Sequence, residues 1–96
     1  MIRHFCMFKL KEENKENNIK EFLERAEKLR VLKEIKHFEV VQNSKETPDS
    51  NYDVALIFDF ESVKELDEYQ NAEVHVKFAE FVGRVREERA CIDYEI

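Results

Sequence analysis

The chain of 96 residues contains one glycine, one proline, two cysteines and no tryptophan. A single glycine leaves no Gly-rich loop to cradle phosphates. So little glycine and proline, with 43% hydrophobic residues, also excludes a collagen-like or low-complexity disordered chain. No apolar run approaches the roughly 20 residues needed to span a membrane. An excess of basic charge is lacking too: 16 Lys and Arg stand against 22 Asp and Glu, for a net charge of -6. A polyanion partner wants a concentrated basic patch, so nucleic acid is not expected. The most basic run, Lys28 to Lys36, is interrupted by Leu29, Val31, Leu32 and Ile35 and contains Glu34, which marks it as the end of an amphipathic helix. Cys6 and Cys91 form neither a CxxC motif nor a paired metal-ligand spacing, and no cofactor or metal is expected. The chain opens directly on a strand pattern with no targeting segment, which points to the cytoplasm and to two reduced, buried thiols. A disulfide requires the first and last strands to be neighbours.

What is present is a clear alternation of strand and helix patterns. Ile2 to Leu10 reads as a strand with Ile2, His4, Cys6, Phe8 and Leu10 on one face. The polar run Lys11 to Asn17 leads into a helix of about fifteen residues, whose stripe is Ile19, Phe22, Leu23, Ala26, Leu29 and Leu32. Lys36 to Gln42 is a second strand and Asn43 to Tyr52 the one long loop. Asp53 to Phe60 is a third, strongly apolar strand. Ser62 with Glu65 three residues on forms a capping box that opens the next helix. Val74, Phe78, Phe81, Val82 and Val85 continue the helical pattern after Asn71 and Ala72, so this region is expected in two pieces. Arg89 to Ile96 is the fourth strand. The order β-α-β-β-α-β specifies one α+β domain over residues 1–96. This is the ferredoxin-like plan, a four-stranded antiparallel sheet with helices on one face.

The strands are apolar on both faces. Val54, Leu56, Phe58 and Phe60 alternate with Ala55 and Ile57, and Cys6 and Phe8 with Phe5 and Met7. One helical layer covers only one side, and a wet sheet face normally carries polar residues. The other face is therefore expected to pack against a second copy, sheet on sheet, as a homodimer.

Three histidines offer chemistry. His37 is expected exposed, and His4, among apolar neighbours, reads from position alone as a structural residue. His75 follows Tyr69 by six residues, a rotation of about 240° on an unbroken helix. The two side chains converge only if the helix breaks between them, with Asn71-Ala72 as the place. A converging Tyr–His pair suits general acid–base work, because imidazole titrates near neutrality and a phenol can donate to a developing oxyanion.

Met1-Ile2-Arg3-His4 running into Phe8-Lys9-Leu10, the segment Tyr52 to Ser62, Tyr69, His75 and the closing Ile92-Asp93-Tyr94 together resemble the stress-responsive dimeric α/β-barrel domain family over essentially the whole chain. The resemblance implies a dimeric α/β barrel with a pocket in each subunit between sheet and helices. Its enzymatic members include plant polyketide cyclases that close an aromatic ring by aldol condensation. By that resemblance His75 is the general base, Tyr69 its orienting partner, and His4 a pocket residue. Two further substrate-binding positions, a His and a Tyr in the cyclases, are Val54 and Ala26 here, and the His-Pro that commonly precedes the catalytic His is Ala72-Glu73. Loss of that His and Tyr leaves a more apolar pocket, and no proline enforces the break between Tyr69 and His75. The leading expectation is a homodimer that binds a small apolar or aromatic molecule without a cofactor. The alternatives are a lyase or cyclase using the Tyr–His pair, a monooxygenase of the same fold group, or a purely structural subunit. The haem-degrading monooxygenases resemble a design that needs Asn, Trp and His together, and tryptophan is missing.

Overall fold

A computed structural model describes all residues, 1–96. Strand β1 (Ile2–Leu10) follows its alternation to the residue: the even positions are buried and the odd ones half-buried. The remaining elements are α1 (Lys15–Glu27) with a 3-10 turn at Lys28–Val31, β2 (His37–Gln42), β3 (Val54–Phe60), α2 (Val63–Asn71), α3 (Glu73–Val85) and β4 (Arg86–Glu95). The sheet order is β2-β3-β1-β4, antiparallel throughout. The ferredoxin-like plan is therefore present, and the first and last strands are neighbours.

Helices cover one face only. Cys6, Phe8, Leu10, Leu56, Phe58 and Phe60 from the sheet pack against Phe22, Ala26, Leu66, Tyr69, Phe78, Phe81 and Val82 from the helices. Phe22 joins the layers, its ring 5.4 Å from Phe8 and 5.2 Å from Phe78. On the opposite face Phe5 and Met7 stay half-buried, while Val41 and Ile92 are exposed. A bidentate pair also lies there: the Arg3 guanidinium donates to Asp59 from Nε (2.7 Å) and Nη2 (2.9 Å). It holds the Asp59 carboxyl below the usual carboxylate range.

Three local expectations need correction. β4 begins at Arg86 rather than Arg89, because the charged run Arg86-Glu87-Glu88 is drawn into the ladder by pairing with Lys9 and Leu10 of β1. Ser62 does stand at the N-cap of α2, but its side chain caps no backbone N–H; the hydroxyl donates to the Glu65 carboxylate. Cys6 and Cys91 are joined in a disulfide. The pairing of β1 with β4 sets them directly opposite each other, with Cα atoms 4.1 Å apart, so they are not two separate thiols. No helix is long and apolar enough to cross a membrane.

Candidate functional site

The helix breaks where Tyr69 and His75 require it. Ala72 adopts extended torsions (φ -64°, ψ 140°), ending α2 and serving as the N-cap of α3, with no proline present. Two side chains bond to carbonyls of the last turns of α2. Asn71 Nδ2 donates to the Asp67 carbonyl (2.9 Å), and His75 Nδ1–H donates across the break to the Gln70 carbonyl (3.0 Å). That second bond fixes the tautomer, leaving Nε2 as the lone-pair nitrogen. The rings of Tyr69 and His75 stand 4.5 Å apart, centroid to centroid.

Tyr69 is fully buried among Phe58, Phe60, His4 and His75. Its hydroxyl has no hydrogen-bond partner in the protein. Burial pushes the phenol's pKa well up, so it remains a donor throughout the neutral range. Burial also lowers the pKa of His75 below the ordinary 6.5, with smaller contributions of the same sign from His4 and Arg89, against the Gln70 carbonyl. At neutral pH His75 is thus an uncharged imidazole, able to accept a proton.

His4 is more constrained than its apolar neighbours suggest. The β1–β4 register puts it opposite Asp93, and His4 Nδ1–H donates to Asp93 Oδ1 at 2.5 Å. Its Nε2 lies 3.2 Å from Cys6 Sγ. Asp93 and the Cys6–Cys91 bond are the site features missed by pattern reading. The usable signal was the closing Asp93-Tyr94, which means something only once β4 is laid beside β1.

These groups border one cavity of about 190 Å³ between sheet and helices. His4, Cys6, Tyr69 and His75 line it, Phe78 and Val82 supply apolar wall, and Arg86 and Arg89 stand at its rim strand. Ala26 and Val54 lie in the hydrophobic core and do not line it. Larger depressions of about 530 and 670 Å³ run along α1, but charged and polar side chains dominate both. A further depression of about 450 Å³ beside Met7, Val41, Tyr52 and Ala55 lies on the open sheet face, so the 190 Å³ cavity is the partly apolar one enclosed between sheet and helices. Only His4, Cys6 and Cys91 group metal-ligating atoms, within 4.8 Å of one another. Joined as a disulfide, the two sulfurs offer no thiolate to an ion.

Comparison with solved structures gives three close shapes. A dimeric protein of unknown function with a ferredoxin-like fold from Bacteroides fragilis is 28% identical, at a TM-score of 0.87 over 99% of this chain and 95% of that one. A family protein with the same fold from Mesorhizobium loti is 27% identical, at 0.82 over 99% and 95%. Hydroxynitrile lyase from Passiflora edulis shares the fold at 17% identity, at 0.84 over 99% and 92%. A comparison with curated proteins returns no match. Residues 2–96 match the family described as the Stress responsive A/B Barrel Domain. On that match, which spans nearly the whole sequence and agrees with the fold, the chain belongs to the stress-responsive A/B barrel domain family.

Proposed function

We propose that the protein is a homodimer that binds a small apolar or aromatic molecule carrying one polar oxygen in the cavity beside Tyr69. The observation that carries this reading is Tyr69, which lines the cavity and whose buried hydroxyl has no hydrogen-bond partner in the protein. Leaving a buried polar group unpaired costs about 1–3 kcal/mol, and a ligand oxygen placed there recovers that cost. Phe78, Val82 and Leu56 would take the apolar body. His4, held by Asp93, would help line the polar end. The homodimer rests on the uncovered face bearing Phe5, Met7, Ile57 and Ile92, and the Bacteroides fragilis relative is itself described as dimeric. A ligand-detected NMR screen of small phenols, aromatic ketones and aldehydes tests the binding. We expect hits that Tyr69→Phe weakens about tenfold, the loss of one good hydrogen bond. A screen without hits would overturn the reading.

One observation favours acid–base chemistry as a second reading. His75 Nε2 is an unprotonated base at neutral pH, and its ring stands 4.5 Å from a phenol that remains a donor. Tyr69 would hold a carbonyl or developing oxyanion while His75 takes a proton from the adjacent carbon or hydroxyl, as a cofactor-independent lyase or cyclase requires. Conversion of a bound aldehyde or ketone by the wild type but not by His75→Gln would support it, and equal conversion by both would overturn it.

A further inference from the structure

The β1–β4 register assembles a second chemical group on the helix-facing side of the sheet. Cys6 faces Cys91 and His4 faces Asp93. Cys6 Sγ lies 3.2 Å from His4 Nε2, and His4 Nδ1–H is bound to Asp93 at 2.5 Å. The Arg89 guanidinium reaches to 3.8 Å from the same sulfur. A nucleophile, a base within reach and a carboxylate orienting that base are the geometric signature of an activated nucleophile. A purely structural cross-link calls for none of them. The β1–β4 ladder runs on both sides of the bond, from Ile2–Glu95 to Leu10–Arg86. Cys6 is buried, yet it forms part of the cavity wall, whereas Cys91 sits on the edge strand where solvent reaches it.

We propose that Cys6 and Cys91 are a redox-active pair that reduces a small hydroperoxide entering the cavity, with Cys6 as attacking thiol and Cys91 as resolving thiol. In the dithiol form His4 Nε2 takes the proton of Cys6. The thiolate attacks the terminal oxygen of the hydroperoxide ROOH and the O–O bond breaks. The leaving RO⁻ takes the proton from His4 and departs as ROH, leaving Cys6 as the sulfenic acid. The Cys91 thiol then attacks Cys6 Sγ; the S–S bond forms, the S–O bond breaks, and hydroxide leaves with the Cys91 proton as water. Two thiols and one hydroperoxide give one disulfide, one alcohol and one water, with both electrons supplied by the sulfurs. A small dithiol reductant returns the disulfide to two thiols by exchange, entering at the accessible Cys91. Asp93 acts through His4 as a positioning residue. This chemistry is independent of whether the cavity also holds an organic ligand.

The experiment uses the fully reduced chain and hydrogen peroxide as probe. With one equivalent of peroxide, the folded protein should form the Cys6–Cys91 bond at least tenfold faster than the same chain unfolded in urea. Cys91→Ser should stop at a Cys6 sulfenic acid that dimedone traps. Asp93→Asn should slow the reaction about tenfold and move its pH profile upward, a shift that simple loosening of the fold does not produce. Should Cys91→Ser fail to fold, mass spectrometry of the partially oxidised wild type still shows which sulfur is modified first. Equal rates in folded and unfolded chains, first oxidation at Cys91, or a disulfide that dithiothreitol cannot open in the folded protein would each overturn the assignment.

Discussion

The His75 ring stands 4.5 Å from the Tyr69 ring because the helix stops for one residue at Ala72 and His75 itself bridges the gap to Gln70. The break is thus maintained by side-chain hydrogen bonds rather than by a proline ring. One consequence is measurable by NMR titration: His75 should titrate below 6.5, since burial disfavours its cation. The unfolded state then binds more protons than the folded state between the lowered value and 6.5. Stability should rise with pH through that window and fall as pH drops through it. A Tyr69→Phe change that leaves the His75 midpoint untouched would count against a coupled pair.

Removing the Tyr69 hydroxyl should separate stability from binding. The hydroxyl is buried and unpartnered, so Tyr69→Phe discards a desolvated group and keeps the ring packing. The unliganded variant should be as stable as the wild type or up to about 1 kcal/mol more stable. Thermal melts with and without a screening hit should show the order reversed: wild type gains more from the ligand. Marked destabilisation of the empty variant would mean that the hydroxyl has a partner in the protein.

Local pattern carried β1 and β3 to within a residue: the period-2 alternation of β1 meets a real core face, and β3 is a short, almost wholly apolar run buried at six of its seven positions. It also carried the place of the helix break. It could not carry the start of β4, Arg86-Glu87-Glu88, which has no apolar face and joins the strand only by pairing with β1. The same pairing places Asp93 on His4 and Cys91 on Cys6, across sequence separations of 89 and 85. The polar half of the site is therefore a property of register, and register is set by two distant strands together. Thiol state depends on which sulfurs face each other, and the β1–β4 register decides that as well.

Acid should weaken the fold through Asp59. Arg3 holds this nearly buried carboxyl below its ordinary value, so the folded state binds its proton less readily than the unfolded chain. The stabilisation is complete above the unfolded value near 3.8 and is lost as pH falls through the lower folded value. Arg3 remains partly exposed, which screens the pair. Asp59→Asn should therefore cost about 1–2 kcal/mol at pH 7 in urea melts. The gap between variant and wild type should close as pH falls through the lowered folded value. A gap that persists there would assign the loss to packing.

The open sheet face gives the last prediction. Phe5, Met7, Ala55 and Ile57 occupy its centre, with Val41 and Ile92 towards its edges. A stable interface buries about 800 Å² per partner, and each buried apolar Å² contributes about 25 cal/mol before association costs. A dimer built there should sediment as one species of twice 11.6 kDa at low micromolar concentration. Ile57→Glu would bring an unpaired carboxylate into the centre of that contact, on β3 beside Phe5. About 3 kcal/mol of lost affinity, two powers of ten in Kd, should shift it to monomer at the same concentration. Because Ile57 faces away from the cavity, the monomer should keep its helical circular dichroism and its His75 titration. A wild type that sediments at 11.6 kDa would remove the dimer.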